Sequence, residues 1–195
     1  MTHLFKRSLL LRLAAVLLTL TAPALSGCKD DNSTEDAANR VNEYKVIDDG
    51  LIQAYLTRHN ITAGTGVNQY RRLNGTSNNG IYLVRLAENP STDTTTIISG
   101  NTTEIKYVGR LLRESNESTI FDNSTENNRP CGCIPVTVGA GQVIKGWDEG
   151  LLFMKKGDRY ELLIPSYLAY GPGGTPSGTL RDEPLRFDMT VLNVR

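Results

Sequence analysis

The sequence predicts an α+β fold, a twisted antiparallel β-sheet wrapped around one short α-helix, with a short helical extension ahead of it. Three observations predict it. Two runs near the C-terminus, "RYELLIP" and "LRFDMTVLNV", alternate apolar and polar side chains as half-buried strands do. One short helical pattern begins at the only tryptophan, Trp147. No second helical pattern follows it before the chain returns to strands, so parallel βαβ units are excluded.

The first 27 residues read as a targeting segment. Lys6 and Arg7 precede the apolar run "LLLRLAAVLLTLTAPAL", which ends in "LSGC". The run is too short and too interrupted for a membrane-spanning helix, which needs about 20 apolar residues. A small-residue pair before Cys28 resembles the bacterial lipobox, so lipidation of Cys28 and anchorage to a cell-envelope membrane are expected, on an outer-membrane, periplasmic or cell-surface face. An ordinary signal peptide, or an uncleaved anchor, with Cys28 incidental, is the alternative.

Residues 28–45 are expected to be a solvated tether, because "KDDNSTEDAANR" offers little that packs. Without residues 1–27 the chain carries 18 basic against 21 acidic residues, a net of −3. That balance excludes the basic stripe of a nucleic-acid binder.

A helix is expected over 46–61, where Ile47, Leu51, Ala54, Tyr55 and Arg58 step by three and four and acids lie at its start. With the loop "NGTSNNG" it forms an extension over 46–79, and the main domain follows over 80–195. "GIYLVRLAE", "DTTTIIS" and "TTEIKYVGRLL" read as strands, being rich in β-branched residues. Residues 113–135 read as a long polar loop holding a small apolar island at Ile120 and Phe121. The helix from Trp147 places Gly150, Leu151 and Met154 on one face, with Gly157 as its terminator.

Cys131 and Cys133 are spaced C-x-C, with His3 and His59 remote. Two ligands do not make a tetrahedral metal site, so no metal is expected; the pair is either a disulfide or two free thiols. Nucleophile elbow, phosphate loop, dinucleotide fingerprint and zinc-protease motifs are all absent from the sequence, and His59 reads as a surface residue rather than a base.

"QVIKGWDEGLLFMKKGD", "LLIPSYLAYG" and "LRFDMTVLNV", preceded by "KYVGRLL" and "IFDNS", resemble in content and order the core of the FKBP-type peptidyl-prolyl cis-trans isomerases. The resemblance runs from about Gly80 to Arg195. It implies an FKBP-like fold, rotation about X–Pro bonds of exported or envelope proteins, proline-containing polypeptides as substrates, no cofactor, and a monomer. It places Trp147 at the floor of a proline pocket, with Tyr107, Phe121, Val143, Ile144, Tyr170 and Phe187 as walls. Asp122 matches the family's aspartate, the Ile144 backbone N–H and the Tyr170 hydroxyl match its peptide donors, and Arg129 is a candidate partner for Asp122. Ile134 stands where many members have a second wall phenylalanine. The rim after "AYG" departs from the family: Thr175, Gly178 and Thr179 replace its apolar residues, and only Leu180 can restore one. A proline-binding module of low turnover is therefore the alternative function.

Overall fold

The computed structural model describes residues 33–73, 80–93, 95–171 and 180–195, and the expected lipidation site Cys28 lies outside them. Its first element is a helix, α1 (Ser33–Arg58), which starts inside the stretch expected to be tether. Glu35 and Asp36 in its first turn and Arg58 in its last complement the helix dipole, which is what a polar sequence needs to stay helical. The chain leaves α1 through Asn60 at φ 53°, with Ile61 N–H donating to Leu56 O at 2.9 Å and Asn60 N–H to Thr57 O at 3.1 Å. This paired closure over a left-handed residue satisfies two terminal carbonyls.

Eight strands follow: β1 (Thr62–Ala63), β2 (Gln69–Leu73), β3 (Ile81–Ala87), β4 (Thr102–Leu111), β5 (Ile120–Asn123), β6 (Ile134–Thr137), β7 (Arg159–Ile164) and β8 (Leu185–Val194). Their order is β1-β2-β3-β7-β8-β4-β5, with β6 also pairing β4. Every pairing is antiparallel except the two-residue β1–β2 contact, so the sheet is mixed rather than wholly antiparallel. The short helix α2 (Lys145–Leu151) contributes to the main core. Trp147 and Leu151 pack there with Leu83, Ile105, Leu162 and Met189.

The second face of the sheet is covered too, by α1. Ile52, Tyr55, Leu56 and Ile61 form a separate core with Tyr82, Val84, Leu112 and Leu163. The buried stripe of α1 is thus Asp48, Ile52, Tyr55 and Leu56; Ala54 is exposed, and so is Ile47 at 40%. The buried stripe therefore differs from the expected one, sharing only Tyr55 with it and beginning at an aspartate. β7 is accordingly buried on both faces rather than half-buried. Its Glu161 lies under α1, accepting from Arg186 Nη1 at 2.9 Å and from the Tyr55 hydroxyl at 2.9 Å.

Three further expectations are corrected. "DTTTIIS" is not a strand and makes only an isolated bridge between Thr96 and Lys155. Asp93 folds the segment back on itself, accepting from the Thr95 N–H and hydroxyl, and this local bonding outcompetes β propensity. The apolar island at Ile120 and Phe121 is a strand, β5, because β4 supplies an edge for it. Helix α2 ends at Leu151 rather than Gly157. Met154 is buried in the following turn, and Gly157, at φ 87°, belongs to the approach to β7.

Candidate functional site

Strand β4 organises the site because it lies between β8 and β5. In register, Gly109 pairs with Phe187 on one side and Asp122 on the other. A Cβ on Gly109 would lie 2.8 Å from the Phe121 ring and 2.9 Å from the Phe187 ring. The missing side chain is the space in which those two rings meet edge to face, with centroids 5.5 Å apart.

Trp147 lies against the same group. Its ring centroid is 4.8 Å from that of Tyr107 and 5.1 Å from that of Phe187, both nearly perpendicular. The ring reaches this depth because Gly146 and Gly150 put almost no bulk between α2 and β7. Added Cβ atoms would fall 2.3 Å from Ile164 and 2.8 Å from Leu162. Among the described residues, the buried Trp147 Nε1 has no hydrogen-bond partner.

Ile144 caps α2 in an extended conformation (ψ 149°), and its carbonyl accepts from Trp147 N–H at 2.9 Å. Its own N–H makes no hydrogen bond among the described residues. Phe121, Ile134, Val143, Ile144, Tyr170 and Leu180 are all half-buried against this core. Ring contacts thus join Trp147, Tyr107, Phe187 and Phe121, and the other described wall residues pack on the same core. Thr175, Gly178 and Thr179 of the rim lie outside the described residues.

The exposed Asp122 accepts the Tyr107 hydroxyl at 2.7 Å. Burial pushes the Tyr107 phenol above its ordinary value, and this hydrogen bond adds to the rise. Tyr170 is raised as well, first by burial and then by the charge of Asp122. Both hydroxyls are therefore neutral donors at physiological pH.

Two positioning residues escaped the sequence reading. Asp148 on α2 accepts from Gly139 N–H at 2.8 Å and Gly141 N–H at 3.0 Å, tying down the turn that leads to Val143 and Ile144. Buried Ser124 accepts from Tyr107 N–H at 2.9 Å and donates to Gly132 O at 2.6 Å. Gly132 is the residue enclosed by the Cys131–Cys133 disulfide, whose Cα atoms are 5.1 Å apart. The C-x-C is therefore bonded, and it buttresses β4 behind Tyr107. Asp148 carried a weak signal, an acid in the first turn of a helix; Ser124 carried none.

No group of three or more His, Cys, Asp or Glu that could hold a metal occurs among the described residues. No described helix is long and apolar enough to cross a membrane.

Several known proteins are similar to this chain. The chain is 38% identical over 95 residues to mouse (Mus musculus) peptidyl-prolyl cis-trans isomerase FKBP2, covering 49% of this chain and 63% of that one. It is 38% identical over 92 residues to the macrophage infectivity potentiator of Trypanosoma cruzi, covering 47% and 42%. The chain thus spans less than two thirds of these relatives. The fold is similar to that of FkpA from Escherichia coli, with a TM-score of 0.54 and 25% identity, over 83% of this chain and 62% of that one. Residues 94–192, half of the chain, match the model described as FKBP-type peptidyl-prolyl cis-trans isomerase. The chain belongs to the FKBP-type peptidyl-prolyl cis-trans isomerase family.

Proposed function

We propose that this protein accelerates cis-trans rotation about X–Pro bonds in exported or envelope polypeptides, anchored to a membrane through a lipidated Cys28. The observation that carries the catalytic reading is the convergence of Tyr107, Phe121, Trp147 and Phe187 on one site beside Asp122. The anchoring rests on "LSGC" after an apolar run.

The chemistry needs no covalent step. The planar X–Pro amide is held by resonance, with a rotation barrier of about 18–20 kcal/mol. Twisting it removes the resonance and weakens the carbonyl dipole, so a dry aromatic site favours the twisted amide over the solvated planar one. The proline ring would seat on Trp147 between Tyr107 and Phe187. The Ile144 N–H and the Tyr170 hydroxyl would hold the peptide carbonyls on either side. Asp122, fixed by Tyr107, would place a negative charge near the rotating carbonyl as its polarity falls.

Isomerisation of a series of proline tetrapeptides, followed with and without the full chain, tests this. The expected result is a catalysed rate that saturates with peptide and is lost in Trp147→Ala. A chain that binds the peptides without exceeding the uncatalysed rate, set by exchange over tens to hundreds of seconds, would be a binding module instead.

A further inference from the structure

A cavity of about 210 Å³ lies apart from the aromatic site and is lined by none of its residues. One wall comes from the segment ahead of the family-matched region: Gly64 and Thr65 after β1, Arg71 on β2 and Arg85 on β3. The other comes from the turn after α2 and the start of β7, with Phe153, Lys155 and Tyr160.

The charge of this cavity is one-sided. Arg71, Arg85 and Lys155 face one carboxylate, Asp158. Asp158 is committed elsewhere, one oxygen accepting from the Lys155 backbone N–H and the other from the Asn89 amide, both at 2.9 Å. Each arginine is held in place by an aromatic ring. The Arg71 guanidinium carbon stands 5.8 Å from the Phe153 centroid, and that of Arg85 stands 5.7 Å from the Tyr160 centroid. Arg71 also donates to Phe153 O at 2.8 Å, while Arg85 donates to the Tyr160 hydroxyl at 3.2 Å and to exposed Glu88 at 3.1 Å.

A guanidinium carries five N–H donors, so most of those on Arg71 remain available. The Lys155 ammonium has no partner among the described residues. Cations already fixed on rings lose little freedom when a ligand arrives, which is the condition for a receptive anion site. Phe153, a large apolar residue left 38% exposed, supplies a surface for the ligand's carbon skeleton.

We infer that this cavity binds a carboxylate on a short carbon skeleton, with Arg71 and Lys155 as its main charge partners and Phe153 as its apolar wall. An acidic side chain of an extended polypeptide and a free dicarboxylic acid share this chemistry, and the volume suits either one better than a drug-sized ligand.

Calorimetric titration of the full chain separates the sources. The probes are acetyl-Ala-Glu-Ala-amide, acetyl-Ala-Gln-Ala-amide and succinate, none of which contains proline. Binding of the Glu peptide, tenfold or more weaker for the Gln peptide and in an Arg71→Gln/Lys155→Gln variant, supports the site and assigns it to polypeptides. The same pattern with succinate in place of the Glu peptide assigns it to free acids. Turnover of a proline tetrapeptide should be unchanged in the variant, which keeps this outcome separate from that of the aromatic site. Equal binding of the Glu and Gln peptides, equal binding by the variant, or no binding of either carboxylate at 10 mM (about −2.7 kcal/mol at best) overturns the inference.

Discussion

The hydroxyl of Tyr107 donates to Asp122 Oδ2 across 2.7 Å, joining the buried centre of β4 to an exposed carboxylate on β5. The bond fixes a charge that would otherwise swing in solvent. Tyr107→Phe should lower kcat/KM about tenfold, roughly 1.4 kcal/mol, while unfolding free energy changes by about 1 kcal/mol. Asp122→Ala should cost a similar factor, and the double variant little more than either single one. Additive losses in kcat/KM would show that the two groups act independently.

Gly146 offers a test in which the sign is informative. By helix propensity alone, Gly146→Ala should stabilise α2 by up to about 1 kcal/mol. The tertiary contact predicts the reverse, since the new Cβ would meet Ile164 at 2.3 Å. We expect a loss of about 1–3 kcal/mol in urea unfolding, with reduced activity as Trp147 shifts. A stabilised variant would mean that α2 does not pack on β7 this closely.

Asp48 predicts how stability depends on pH. It is fully buried on α1 and accepts both the N–H and the hydroxyl of Ser166 at 2.7 Å. Burial pushes its carboxyl up to about 6, outweighing those two bonds and the attraction of Arg113, with Glu183 adding a smaller push upward. An unfolded aspartate releases its proton near pH 4, so the folded state binds more protons between about 4 and 6. This group's contribution to stability is therefore fully present below pH 4 and is lost as pH rises through 6, on the order of 2–3 kcal/mol. Asp48→Asn should match the wild-type melting temperature at pH 4 and exceed it at pH 7.5. A constant difference across that range would count against the shift.

Arg186 pairs with Glu161 between the sheet and α1, and its guanidinium also stands 5.3 Å from the Tyr55 ring centroid. Arg186→Met would leave the carboxylate buried with only the Tyr55 hydroxyl. A loss of about 3 kcal/mol is expected, and Glu161→Gln in the same chain should restore part of it. Thermal unfolding of the three variants checks this.

Strands β3, β4, β7 and β8 and the position of α2 were legible in the chain. Each is written in local pattern: period-two alternation in β7 and β8, and "VIKGWDEG" and "LAYG" as quoted motifs. The same local pattern misplaced "DTTTIIS", where one aspartate's hydrogen bonds override β-branched propensity. It also hid β5, whose four residues are a strand only because β4 lies beside them.

The sequence by itself determined the core-facing residues of β8, because burial of apolar side chains at fixed spacing is a local signature, while the groups expected around Trp147 came from the resemblance to the FKBP-type family. Only the tertiary structure decided that α1 covers the sheet's second face, that Asp48 binds Ser166 from 118 residues away, and that Ser124 joins Tyr107 to the disulfide loop. Those contacts are polar and distant in sequence. Burying a polar group costs stability unless it is hydrogen-bonded, and these partners lie on other elements, outside any local pattern.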